Sequence, residues 1–156
     1  MEILRIVKGM LSFLFVLFLL SGCNTSKVDI FQYKNSYVGD NNAVSHILNS
    51  LPSNNHLKGF ELETKEKPYG IIIHYHLEIE EGYEQTVLYN STYLFSLIQN
   101  VELIKFDFEG MEYEMTKGNL EKWYGRDLNE FTNKEELEDL IQDHLKDQDK
   151  VKQLFN

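Results

Sequence analysis

Apolar residues recur along this chain with more than one period, and each change of period marks a new element. Val44, Ile47, Leu48 and Leu51 fall three and four apart, the stripe of an amphipathic helix. Asp40, just ahead of it, is a good N-cap, and Pro52 with Ser53-Asn54-Asn55 stops it. Leu57–Lys65 then alternates, with Phe60 and Leu62 on one side and Glu61 and Glu63 on the other. Lys67-Pro68-Tyr69-Gly70 has turn chemistry. Ile71–Glu80 alternates more strongly, setting Ile71, Ile73, Tyr75, Leu77 and Ile79 against His74, His76, Glu78 and Glu80. These two segments predict an antiparallel hairpin with one wetted face.

From Tyr83 the period lengthens again. Val87, Leu88, Ser91, Leu94, Phe95 and Ile98 predict a helix of about four turns that ends near Asn100. A second hairpin follows, with Ile104, Phe106 and Phe108 alternating up to Glu109-Gly110, and Met111, Tyr113 and Met115 alternating after it. Thr116 can cap a short helix holding Leu120, Trp123 and Tyr124, closed by Gly125. Thr132-Asn-Lys-Glu135 reads as a capping box for a last helix with Leu137, Leu140, Ile141 and Leu145 inward. The acidic stretch Glu135–Asp149 is then its exposed side. Val28–Lys34 is mixed, strand or irregular. The predicted fold is α+β: one domain, order α-β-β-α-β-β-α-α, with a four-stranded antiparallel sheet from two hairpins and helices packed on one face.

The first 22 residues follow a different rule. Arg5 and Lys8 precede a mainly apolar run, Met10–Leu20, which as a helix is about 16 Å long against a hydrocarbon core of about 30 Å. That length suits the core of a secretion signal better than a membrane span. The run ends in Leu20-Ser21-Gly22-Cys23, which resembles a bacterial lipobox. The resemblance implies cleavage between Gly22 and Cys23 and diacylglycerol transfer to the Cys23 thiol. Residues 1–22 then form a lipoprotein signal peptide, 23–28 a lipidated tether and 29–156 the single α+β domain, on the outer face of the cell membrane. An acylated Cys23 would join the protein to membrane lipid, and two or three chains anchor stably where one is marginal.

Composition narrows the remaining options. Cys23 is the only cysteine, which excludes an internal disulfide and a cysteine-built zinc cage. A net charge of −10 argues against nucleic acid as a partner. Loss of Arg5, Lys8 and Glu2 with the leader would make the remainder more acidic by one charge, so an anionic membrane surface would repel the body.

Several stretches together resemble a family of Firmicutes proteins, the DUF4825 domain. They are Phe31-Gln-Tyr-Lys-Asn-Ser-Tyr-Val-Gly-Asp40, Val44-Ser-His-Ile-Leu-Asn-Ser-Leu-Pro52, Tyr69-Gly-Ile71, Tyr89-Asn-Ser-Thr-Tyr-Leu-Phe95, Val101–Phe108 and Leu120-Glu-Lys-Trp-Tyr-Gly125. Tyr37-Val-Gly-Asp40 is the most distinctive of them. The resemblance implies a small lipoprotein, or a domain of the kind attached to membrane proteins that resemble antibiotic-sensing M56 peptidases. It suggests sensing or binding outside the membrane, with a membrane sensor or cell-envelope protein as partner. It carries no catalytic residues, and the chain lacks His-Glu-x-x-His.

Candidate chemistry is sparse. In Tyr37-Val-Gly-Asp40, Gly39 would permit a positive φ, Asp40 would cap, and Tyr37 or Val38 would staple the helix start near Val44. Alternatively Tyr37, Gly39 and Asp40 touch a ligand, as do Trp123 and Tyr124, since the chain's nine tyrosines exceed what a small core uses. His74, His76 and Glu78 share one side of a strand and suggest a metal site, which makes a metal-binding or metal-dependent hydrolytic lipoprotein the alternative function. Their spacing of about 6.5–7 Å is too wide to converge without Glu61 or Glu63 from the next strand. The other reading is a solvated sheet face. Glu78, Glu80, Glu112 and Glu114 lack the apolar surroundings a general acid needs. There is no Gly-x-Ser-x-Gly, P-loop or dinucleotide fingerprint, and no enzyme activity and no cofactor are expected.

Overall fold

The structure is a computed structural model that describes residues 29–76 and 82–155. Residues 1–22, the Gly22/Cys23 junction, the 23–28 tether, Glu78 and Glu80 lie outside the described residues. Four strands, β1 (Leu57–Glu63), β2 (Gly70–Tyr75), β3 (Leu103–Phe108) and β4 (Met111–Thr116), lie side by side in chain order. β1–β2 and β3–β4 are antiparallel hairpins, as their alternation predicts. The two hairpins meet through a parallel pair, Gly70 opposite Leu103 and Tyr75 opposite Phe108. The sheet is therefore mixed, which corrects the all-antiparallel expectation.

The connection explains the difference. After Tyr75 the chain passes into a long helix, Tyr83–Leu97, and must come back to the Gly70 end before β3 begins. A helical return of this length is the usual way to join parallel strands, whereas antiparallel neighbours need only a short turn. The short turns belong within the hairpins. At Glu109-Gly110 both residues have positive φ, 53° and 103°, the geometry of the hairpin turn that matches strand twist.

The helices are α1 (Asn41–Ser50), α2 (Tyr83–Leu97), α3 (Lys117–Tyr124), α4 (Lys134–Leu145) and α5 (Gln148–Leu154). Asp40 caps α1, its carboxylate accepting the Ala43 N–H at 3.0 Å. Thr116 caps α3 at the Asn119 N–H, and Gly125 ends it at φ 70°. Asn133, not Thr132, caps α4, by accepting the Glu136 N–H at 2.9 Å. Both types can cap, and asparagine is the stronger. The acidic stretch after Glu135 is not one helix: it breaks at Lys146, and Asp147 caps the separate α5. Residues Ile30–Tyr33, strand or irregular by pattern, form a 3-10 turn held by Asp29.

One side of the sheet supplies the core. Ile71, Ile73, Tyr75, Ile104, Phe106 and Phe108 are fully buried and share a cluster with α1, α2, α3 and α4 residues. α2 is buried on most of its surface, far more than the one-sided stripe predicts, and Thr86, Asn90, Ser91, Thr92 and Ser96 are buried with it. Asn90 Nδ2 donates to the Tyr75 hydroxyl at 2.7 Å, tying α2 to the sheet. Thr92 Oγ1 donates to the Leu88 carbonyl and lies 2.9 Å from the Tyr124 hydroxyl, tying α2 to α3.

Replacing a capping carboxylate by a methyl group typically costs about 1 kcal/mol. Asp40→Ala is expected to lower unfolding stability by about that amount, and Asp40→Asn to retain most of it. Urea midpoints of the two variants check this.

Candidate functional site

The Tyr37-Val-Gly-Asp40 segment is largely consumed by structure. Val38 is buried, and its N–H donates to Asn100 Oδ1 at 2.8 Å. Ser36 bridges to Ile98, and the Gln99 N–H donates to the Ser36 carbonyl at 2.9 Å. Nearby, the Lys34 ammonium donates to the Ser96 and Asn129 carbonyls at 2.9 and 2.8 Å. Val38 thus enters the core beside Val44, and Tyr37, 58% exposed, does not. Asp40 is committed to its cap. Gly39 does not use the positive φ that its residue type permits, and a Cβ there would meet nothing within 4 Å. Tyr37 and Asp40 both face solvent, and of the two it is Asp40 whose side chain is taken up by a cap. Tyr37 lines a shallow cleft of about 250 Å³ with Tyr69, Thr64 and Asn100.

The open face of the sheet holds His74 but does not join it to His76. His74 Nδ1 lies 3.0 Å from Asp107 Oδ2, and its Nε2 lies 3.3 Å from Glu61 Oε1. β2 ends at Tyr75, so His76 leaves the pleat. Its N–H donates to the His56 carbonyl, and its ring sits 3.3 Å from Glu109, which Lys58 also reaches. Glu63 pairs with Lys105 at 3.8 Å rather than with either histidine. Among the described residues, no three His, Cys, Asp or Glu side chains are grouped so as to hold a metal ion.

Asp107 was not foreseen as the partner of His74. The parallel register puts it directly opposite, and only that register could have identified it. The Gly110 N–H first, then the His74 hydrogen bond, hold the Asp107 carboxyl below its ordinary pKa. Lys58 and then His76 do the same for Glu109.

Trp123 and Tyr124 are braces. Trp123 Nε1 donates to the Lys150 carbonyl at 3.2 Å, and its ring packs on His144 with centroids 5.0 Å apart. Tyr124 is buried, bonded to Thr92, and burial raises its pKa. Neither shares a cleft with Tyr37.

A further cavity, of about 310 Å³, lies between the end of α1, α2 and the start of α4. Tyr89 and Tyr93, stacked at 5.2 Å, form one wall. The Tyr89 hydroxyl donates to Glu138 at 3.1 Å, and Lys134 pairs with the same carboxylate at 3.2 Å. Burial, the main cause, pushes the Tyr89 pKa up to about 12. Two tyrosines one helical turn apart among small polar residues were the available signal, and the apolar period drew attention elsewhere.

Residues 30–117 match a family described as a domain of unknown function, DUF4825. The matched segment contains α1, α2 and all four strands and stops at the start of α3, so Trp123 and Tyr124 fall outside it. No curated protein and no solved structure matches the chain. Among the described residues, no helix is long and apolar enough to cross a membrane.

The lowered Asp107 carboxyl makes a pH prediction. A depressed folded-state pKa contributes stability above the unfolded value, about 3.9, and that contribution disappears as pH falls through the folded one. Asp107→Asn should therefore lose stability at neutral pH and narrow the gap to wild type between about pH 5 and pH 2. Denaturant midpoints across that range measure it, and an unchanged gap would contradict the geometry.

Proposed function

This chain belongs to the DUF4825 family, and on that premise we propose that it is a membrane-anchored, extracytoplasmic lipoprotein whose folded domain binds or senses without catalysing a reaction. The observation that carries this reading is the order of features in the first 23 residues. A basic start, an eleven-residue apolar run and Leu20-Ser21-Gly22-Cys23 occur together, and the chain has no other cysteine. Attachment through Cys23 gives that single thiol a use. The short polar stretch after it serves as a tether, and mutual repulsion between an acidic body and anionic lipid keeps the domain off the surface.

The binding half of the reading is supported by what the family segment leaves unused. Tyr37 is exposed in the most distinctive stretch of the resemblance, while its neighbours Val38 and Asp40 serve the fold. A tyrosine with an apolar ring and a polar tip is well suited to a contact surface. The non-enzymatic half is supported by His74, whose two ring nitrogens both face carboxylates on a solvated face rather than a nucleophile. A membrane sensor or another envelope protein is the partner class that fits a tethered module of this size.

Cys23→Ala is expected to abolish membrane retention and leave the leader uncleaved. Fractionation with intact-mass analysis reads both outcomes, since the wild type should begin at Cys23 and carry lipid mass there. Wild-type protein without lipid on Cys23 would end the proposal. Separately, Tyr37→Ser should change the unfolding free energy from urea titration by no more than about 0.5 kcal/mol, as for other exposed positions, while weakening capture of the native membrane partner in crosslinking from intact membranes.

A further inference from the structure

We propose that the outer edge of β4 takes up, as a fifth strand, an extended segment of a partner protein in which basic and apolar residues alternate. This deepens the reading of the domain as a binding module and rests on it.

Register leaves that edge open. The two-residue turn Glu109-Gly110 closes on Phe108 and Met111, a pair that exchanges both of its backbone hydrogen bonds, and every second pair along the hairpin does the same. The Lys117 N–H, donating to the Glu102 carbonyl at 3.0 Å, keeps that phase. The backbone groups of Met111, Tyr113 and Met115 are therefore engaged by β3, and those of Glu112 and Glu114 point away from it. β4 ends the sheet, and among the described residues no other backbone segment bonds to Glu112 or Glu114. A row of unpaired donors and acceptors is the template on which an added strand forms.

The side chains define the added strand. Glu112 and Glu114 are exposed on the open face, and neither carboxylate is paired among the described residues. Directly opposite them on β3, Asp107 is turned to His74 and Lys105 to Glu63. Basic residues two apart on an added strand would stand beside the two glutamates at cross-strand distance. The residues between would fall on the other face, beside Tyr113 and Met111, of which Met111 is 41% exposed.

The same observations exclude the nearest alternatives. β1, the opposite edge, has a register shift between Leu57 and Gly59, and its Glu61 and Glu63 already meet His74 and Lys105. A second copy of this chain is disfavoured as the occupant, because β4 paired about its own centre sets glutamate against glutamate.

The test uses the full chain in nanodiscs of phosphatidylcholine, a lipid without net charge, and three end-blocked hexapeptides. One alternates lysine and valine, and one alternates glutamate and valine. The third is the lysine–valine peptide with every backbone nitrogen methylated, which keeps the charge and removes the donors. At ten times its Kd the lysine–valine peptide should slow amide hydrogen exchange in Met111–Thr116 about tenfold and leave Leu57–Glu63 unchanged. The other two should have no effect. Glu112→Lys combined with Glu114→Lys should abolish the response to lysine–valine and transfer it to glutamate–valine. Glu135→Lys combined with Asp139→Lys, the same charge change at exposed positions of α4, should keep the wild-type response. The proposal is overturned if the lysine–valine peptide leaves exchange in β4 unchanged, if the methylated peptide protects equally, or if reversal on α4 is as damaging as reversal on β4. Protection that grows with protein concentration without peptide would identify a second copy as the occupant and overturn it too. Anchoring, decided by membrane fractionation, and the Tyr37 contact, decided by crosslinking, stand or fall separately.

Discussion

The structure depends on enclosing one helix, α2, that is buried along most of its length yet carries polar residues at its centre. An ordinary surface helix would offer the sheet one apolar stripe and keep its polar side in water. Here Asn90 faces the sheet and Thr92 faces α3, so both must find partners inside the protein. Tyr75 and Tyr124 supply those partners, each a large ring with a hydroxyl at its tip. A buried hydrogen bond adds only about 1 kcal/mol net, but leaving either member unpaired costs about 1–3 kcal/mol. The pairs therefore select one arrangement of sheet, α2 and α3 more than they add to its stability. Rotating α2 by one residue would strand several polar groups at once.

The position of α2 also decides the sheet. Because α2 carries the chain back along the strands, β3 runs beside β2 in the same direction, and side chains that alternation alone places on separate hairpins become neighbours. His74 and Asp107 are the consequence: thirty-three residues apart in the chain, they face each other across the central pair. Glu61 on β1 completes a row in which an imidazole lies between two carboxylates. On a solvated face such contacts are individually weak. Their effect is to hold the orientation of His74 and to keep it away from His76, whose ring is served by Glu109 on the β3–β4 turn.

Much of this was legible in the chain. The order of helices and hairpins follows from the apolar periods, and Asp40, Thr116, Gly125 and the Glu109-Gly110 turn do what their residue types predict. The parallel pairing was missed because alternation marks which residues share a face but not which strand lies next door. Gly39 permits a positive φ by residue type, and the fold does not use that freedom. The metal reading of His74 and His76 assumed that β2 keeps its pleat beyond Tyr75, whereas His76 already lies past the end of the strand. Tyr89 and Tyr93 were passed over because a helical period counts apolar positions, and tyrosines in a buried helix register as ordinary core.

The anchor and the cavity are linked by simple reach. Under the proposed attachment at Cys23, Ile30 is seven residues from the lipid, and seven residues span at most about 25 Å. Ile30 is both buried and part of the cavity wall, so the cavity would open within that distance of the bilayer surface. The acidic character of the domain opposes contact with anionic lipid. Electrostatic stand-off and a short tether would then act together, holding the domain close to the bilayer while the open face of the sheet remains free for a partner.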